Sequence, residues 1–223
     1  MTGISDRLAV TAAAYDTVSA RYAEFVRGEL DALPLDRAVL AAFAEHVRAG
    51  AGGLVADVGC GEGRVGGYLA ALGLEVTGID LSPAMIEIAR ARYPGIRFET
   101  ASMHALPLAD GALGGIVSWY SVIHAVPGDL RACFAEFARV LKPGGHLLAA
   151  FFEAVGEPLT AFDHKVTTAY RWPVDELAAL AGDAGFAETG RMSREPCASE
   201  RFRRGHLLMR RHSSSPAPDG RGV

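Results

Sequence analysis

Apolar residues recur at three- and four-residue steps through the first fifty positions. Leu8, Ala12 and Tyr15 lead to Tyr22, Phe25, Val26 and Leu30, so residues 6–49 read as amphipathic helix. Pro34 breaks the run. Leu35 and Asp36 restart it, with Val39, Leu40, Phe43 and Val47 on one stripe that Gly50-Ala51-Gly52-Gly53 ends. Beyond Leu54 the pattern changes. Short apolar runs at 54–58, 75–80, 96–100, 113–120 and 146–152 read as strands, and helical stretches at 64–72, 83–92 and 128–140 separate them. Ser82 is placed to cap the second of these helices, with Pro83 at its first position. Strands that are almost continuously apolar and alternate with helices predict a parallel sheet covered on both faces. One more helix, 174–184, ends at Gly185, and strands follow near 186–192 and 203–210. The Ser/Pro/Gly stretch 212–223 is expected to be a disordered tail.

Composition adds exclusions and one anomaly. The 223 residues carry a net charge of −4 and are 50% hydrophobic, as expected for one globular domain with an elaboration and not for a polyanion binder. Cys60, Cys133 and Cys197 lie far apart, so neither a disulfide framework nor a metal site is expected, and a reducing cytoplasm is the expected location. Asp6 and Arg7 interrupt the apolar core that a secretion leader needs. The uncharged stretch 112–126 falls short of the ~20 residues of a membrane span. Glycine is the anomaly, at 26 residues or about 12% against an average near ~7%. Ten of the 26 fall between Gly50 and Gly78.

The dense part of that cluster is Asp57-Val-Gly59-Cys60-Gly61-Glu62-Gly63-Arg64-Val-Gly66-Gly67, between the first strand and the next helix. Glycine tolerates φ > 0 and puts no side chain in the way, so this turn suits close approach of backbone to a ligand. Asp80 ends the second strand 21 residues after Gly59, the spacing at which a carboxylate holds both hydroxyls of a ribose. Gly61-x-Gly63-x-x-Gly66 also meets the dinucleotide pattern. Asp57 argues against a pyrophosphate, which it would repel, and for an adenosyl ligand that carries an ammonium instead.

The stretch DVGCGEGRVGGYLAALGLEVTGIDLSPAMIEIARARYP resembles the cofactor half of class I S-adenosylmethionine-dependent methyltransferases, of the small-molecule, type 11-like kind. ASMHALPLADGALGGIVS, WYSVIHAV and FAEFARVLKPGGHLLAAF agree with that family in order and spacing, over about residues 54–152. The resemblance implies an α/β fold, a Rossmann-like doubly wound seven-stranded sheet with its last strand antiparallel. It divides the chain into an N-terminal helical lid (1–50), an S-adenosylmethionine-binding methyltransferase domain (51–211) and the tail. It also assigns roles. Gly59, Cys60 and Gly61 lie against the methionine part of the cofactor with Asp57 beneath them; Asp80 takes the ribose hydroxyls; Leu81 and Met85 border the adenine. Ser102, before Met103, stands where many members have an Asp that bonds the adenine amino group. Trp119 and Tyr120 close the methyl-donor side, and the LKPGG turn (141–145) sets up the fifth strand. Tyr15 and Tyr22 share one face of the lid helix, and Tyr15 or Arg64 reaches the cofactor carboxylate.

Transfer of methyl from a sulfonium is an in-line displacement that positioning alone can largely drive. A neutral hydroxyl or protonated amine still gains from a base, and His124, just after the fourth strand, is the candidate catalytic residue. His164, Tyr170 and Trp172, with Arg171, fall in the insertion where related small-molecule enzymes build the acceptor pocket. Ser118-Trp119-Tyr120-Ser121 stands where amine methylases carry Asn-Pro-Pro-Tyr, which disfavours adenine N6 or glutamine amide as acceptors. Pro196-Cys197 follows the last helix, away from where cytosine methylases need that dipeptide. Arg201, Arg203, Arg204, Arg210 and Arg211 read as the solvated face of a terminal hairpin, without interleaved aromatics to stack bases. The expectation is O- or N-methylation of a small aromatic or heteroaromatic metabolite by a monomer or homodimer, with no nucleic acid and no membrane partner. An RNA or protein methyltransferase, a nicotinamide-linked oxidoreductase and a non-catalytic adenosyl-binding protein remain as alternatives.

Overall fold

The structure is a computed structural model that describes residues 3–198 and 200–213; the expected tail falls outside the described residues from 214 onward. Three helices come first: α1 (Ile4–Phe25), α2 (Glu29–Ala32) and α3 (Pro34–Ala49). The helical pattern breaks earlier than Pro34 alone requires. Gly28 takes φ 70, a left-handed conformation that glycine adopts without steric cost, and α2 is a single turn between it and Pro34. Pro34 then opens α3 as its first residue, where a missing N–H costs nothing.

The core alternates as expected: β1 (Val55–Val58), α4 (Arg64–Ala71), β2 (Val76–Asp80), α5 (Pro83–Arg92), β3 (Arg97–Thr100), β4 (Leu113–Trp119), α6 (Pro127–Val140) and β5 (Leu141–Glu153). Then come β6 (Thr160–Asp163), β7 (Thr168–Trp172), α7 (Val174–Asp183), β8 (Phe186–Arg194) and β9 (Arg204–Arg211). Strands β3-β2-β1-β4-β5 run parallel, β9 pairs antiparallel with β5, and β8 lies outside β9. That is the seven-stranded plan with its last strand antiparallel.

The sheet has nine strands, however, because the insertion expected as a loop is the β6–β7 hairpin. β4 leaves β5 at the Trp119↔Ala150 pair, and β7 takes over the vacated edge at Phe152↔Arg171 and Glu153↔Trp172. The hairpin therefore stands above the C-terminal end of β4, the end at which parallel α/β sheets bind ligands. LKPGG is not a turn ahead of β5 but an irregularity inside it. Pairing jumps from Leu113↔Leu141 to Gly115↔His146, with Gly144 at φ 78.

Alternation along β5 divides the core. Leu147, Ala149 and Phe151 join α6 and α7 on one face, whereas Leu148 and Ala150 join Leu40, Phe43 and Val47 of α3 and Leu69 of α4 on the other. Each fully buried Leu or Phe contributes about 1.5–3 kcal/mol of transfer free energy. α3 thus belongs to the sheet's covering layer, and α1 alone crosses the strand ends. Asp16 ties α1 down by accepting the Ser82 hydroxyl at 2.5 Å and the Ala84 N–H at 3.1 Å. Arg7 pairs with Asp129 on the far side of the same helix.

Candidate functional site

The glycine turn leaves β1 with Gly59 at φ 76 and Gly61 at φ 53. The two residues answer to different constraints. A Cβ on Gly59 would lie 2.1 Å from the Ser121 Cβ, so that glycine serves packing against the segment after β4. A Cβ on Gly61 would meet nothing within 4 Å, and the space above it is open cavity. Asp80 fastens the turn: its Oδ2 accepts the Gly61 N–H at 2.8 Å and its Oδ1 the Ser82 N–H at 2.8 Å. Burial pushes the Asp80 carboxyl up, and those N–H donors pull it back down. One lone pair on each oxygen is left for a ligand.

A cavity of about 110 Å³ opens here, between the strand ends and α1. Tyr15, Tyr22, Gly59, Cys60, Gly61, Arg64, Asp80, Leu81, Ser102, Met103, Trp119, Tyr120 and His124 all line it. The Tyr15 hydroxyl does not point to a free space: it lies 2.7 Å from His124 Nε2. His124 Nδ1 lies 3.0 Å from the Thr168 carbonyl, an acceptor, so Nδ1 carries the proton and Nε2 accepts from Tyr15. Burial holds His124 below the ordinary histidine range, partly offset by the Thr168 bond, and the ring is neutral near pH 7. Tyr22 packs edge-on against Tyr15 at 5.7 Å.

A second cavity, about 350 Å³, adjoins the first and shares Tyr22, Arg64, Trp119 and Tyr120 with it. Phe152, Phe162, Phe202 and His164 wall it, with Phe162 and Phe202 edge to face at 4.9 Å. Burial and the neighbouring His124 push His164 down to about 4. Arg204 lies 4.3 Å over Phe152 and 4.9 Å over Tyr120, held by Glu200 at 3.0 Å. Beneath it Arg194 bridges Glu200 at 2.6 Å and Asp36 at 2.8 Å, a buried network. Tyr120 sits at the boundary of the two cavities with φ 53, a conformation that costs a bulky residue about 1–3 kcal/mol. Its backbone N–H is pinned to the Ala150 carbonyl at 3.1 Å, and its ring lies tilted against Phe152 and edge-on to Trp119.

Four expected residues lie elsewhere. Asp57 is behind the turn, where its Oδ2 accepts the Gly66 N–H of α4 at 2.8 Å and its Oδ1 is buried without a partner among the described residues. Burial pushes its carboxyl up to about 7. Met85 is buried beneath α5, Trp172 is core, and Tyr170 packs against that core, so none of the three lines either cavity. The terminal arginines are only in part a solvated face: Arg201 and Arg210 are exposed, whereas Arg204 is held against Glu200. Phe202 is interleaved among them and, with Arg201 and Arg204, lines the second cavity. Glu62 escaped notice as one residue of a glycine turn; it is fully buried and, with Glu29, brackets Arg64 at 3.3 and 3.0 Å. Nothing in local pattern distinguishes it from a solvent-facing Glu.

Sheet order, glycine turn and the carboxylate closing the second strand define a nucleoside-cofactor site of the Rossmann-like kind. Residues 55–145 match the family described as methyltransferase domain. Residues 55–145 thus carry a methyltransferase domain, on a fold shared with S-adenosylmethionine-dependent methyltransferases. It is 39% identical over 92 residues to demethylmenaquinone methyltransferase of Chlorobaculum parvum, covering 41% of this chain and 37% of that one. With O-methyltransferase cnsE of Penicillium expansum it shares 35% over 103 residues, 43% of this chain and 37% of the relative. The chain thus spans well under half the length of these curated relatives. A Burkholderia thailandensis 1,6-didemethyltoxoflavin-N1-methyltransferase, solved with 1,6-didemethyltoxoflavin and S-adenosylhomocysteine bound, shares the fold at TM-score 0.69 and 20% identity, over 95% of this chain and 92% of that one.

Proposed function

We propose that the chain binds S-adenosylmethionine in the first cavity and methylates an oxygen or nitrogen of a small aromatic or heteroaromatic molecule held in the second. The observation that carries this reading is the shared wall: Trp119 and Tyr120 border both cavities, so donor and acceptor would meet at the end of β4. The residues suit the cofactor. Asp80 keeps an acceptor on each oxygen for the ribose hydroxyls, Gly61 leaves open space, and Ser102 and Met103 line the adenine side. Bound there, the cofactor supplies an activated methyl on a sulfonium. The toxoflavin enzyme holds its two ligands together, an arrangement for which two adjoining cavities provide.

The protein's own work is alignment and proton transfer. Aromatic rings around the second cavity orient a flat acceptor and exclude water. A hydroxyl or amine proton passes to the Tyr15 oxygen while the Tyr15 proton passes to His124 Nε2, the acceptor that the Thr168 bond fixes. Acceptors too large for a cavity enclosed by α1, the β6–β7 hairpin and the segment before β9 are disfavoured, which sets RNA and protein aside. The test is calorimetry with S-adenosylhomocysteine on the whole chain, followed by transfer of labelled methyl in a metabolite extract, in tRNA and in protein. Label in the extract supports the reading; label confined to tRNA or protein overturns it.

A further inference from the structure

The second cavity is electrically uneven. At its inner end Asp36, Glu200, Arg194 and Arg204 neutralise one another. At its mouth three cations converge from segments far apart in sequence: Arg21 of α1, Lys165 of the turn between β6 and β7, and Arg201 ahead of β9. None of the three forms an ion pair among the described residues. Arg201 donates Nη1 to the Asp163 carbonyl at 3.1 Å and lies 4.9 Å over Phe202, leaving further N–H groups of its planar fork unused. The nearest acid of this lining, Asp163, spends Oδ1 on the Lys165 backbone N–H at 2.8 Å. Between mouth and inner end stand Phe162 and Phe202. Arg171 and Arg201 lie 4.6 and 4.9 Å over the Phe202 ring, so this pair offers a flat guest Phe162 and the Phe202 edge, beside the guanidinium groups.

We propose that the acceptor is a flat aromatic molecule bearing a carboxylate at the end remote from the methylated atom. Its ring lies against Phe162 and Phe202, and its carboxylate meets Arg201 and Lys165 at the mouth. The inference rests on the methyltransferase reading, because that reading makes this cavity the acceptor site. The arrangement also separates charge usefully: the anion that anchors the acceptor is held away from Asp36 and Glu200, and the reacting end is directed to the shared wall at Tyr120.

The probes are 2-naphthoate and its neutral counterpart 2-naphthamide, titrated calorimetrically into the whole chain saturated with S-adenosylhomocysteine. Naphthoate is expected to bind at least about fivefold more tightly than the amide. Arg201→Gln and Lys165→Gln, both at exposed positions, should each weaken naphthoate by about two- to fivefold and leave the amide unchanged. Equal affinity for the two probes, or equal effects of the substitutions on both, overturns the inference while S-adenosylhomocysteine binding preserves the reading beneath it. If the wild-type chain does not bind S-adenosylhomocysteine, the reading falls and the inference with it. The same titration of each variant shows that it is folded.

Discussion

Asp57 and Asp80 stand on adjacent strands, and their surroundings give them opposite tasks. Asp80 receives two backbone N–H bonds and faces the cavity. Asp80→Ala releases both segments of the turn, and S-adenosylhomocysteine affinity measured by calorimetry should fall by about tenfold to a hundredfold. Asp57 faces the interior. Its carboxyl, pushed up by burial to about 7, keeps a proton in the folded chain that the unfolded chain has released. Stability contributed by the protonated form is therefore present below pH ~4 and declines as pH rises to about 7. Asp57→Asn retains an acceptor for the Gly66 N–H, and its melting temperature should gain on wild type between pH 5 and pH 8. For His124 the sign runs the other way for turnover: a base must be neutral, and burial lets the ring stay neutral below pH 6.5. Turnover should fall only when pH drops beneath that lowered value. Tyr15→Phe should lower kcat about a hundredfold and abolish this acid limb, as His124→Gln should. A packing role for Tyr15 would instead alter KM with the pH profile intact.

Among the elements, every strand and helix of the β1–β5 half was legible, because hydrophobic runs, the Ser82 cap and Pro83 at the first helical turn all record local backbone geometry. The β6–β7 hairpin was not. TAFD and TAYRW are short and alternating, and their pairing depends on an edge of β5 that only the end of β4 exposes. Likewise Arg204 looked solvated because its partner Glu200 lies in the connection between β8 and β9, where Arg194 of β8 links Glu200 to Asp36 of α3. Removing the shared cation takes one partner from each of two buried carboxylates, leaving Asp36 with His206 and Glu200 with Arg204. Arg194→Met should lower the unfolding free energy by about 3–5 kcal/mol, read from urea denaturation. Hydrogen bonds from His206 and Arg194 hold Asp36 below the usual carboxylate range despite burial. Its stabilisation is thus full above pH ~4 and fades as pH falls further, and this acid sensitivity should weaken in the variant, where the His206 bond remains.

In the molecule as a whole, the first cavity was readable because the short segments that line it, the glycine turn, 80–82, 101–104 and the end of β4, are each marked by local sequence. The second cavity draws on α1, β4, β5, the hairpin and the connection before β9, and no window of sequence contains that assembly. α1 roofs the first cavity through Tyr15, tied by Asp16 to Ser82 and by Arg7 to Asp129. Cofactor beneath it should slow amide hydrogen exchange in α1 while leaving exchange in α6 unchanged. The hairpin has a different consequence. Its two ends are stitched together where they leave the sheet, by the Glu153↔Trp172 pair and the bond from the Ala154 N–H to the Trp172 carbonyl at 2.9 Å. Residues 154–172 therefore form a cassette that enters and leaves at one point, beside the second cavity and apart from the glycine turn. Evolution or an engineer can vary residues 154–167 of that cassette to reshape the second cavity, provided the Thr168 carbonyl that orients His124 and the buried Trp172 are kept.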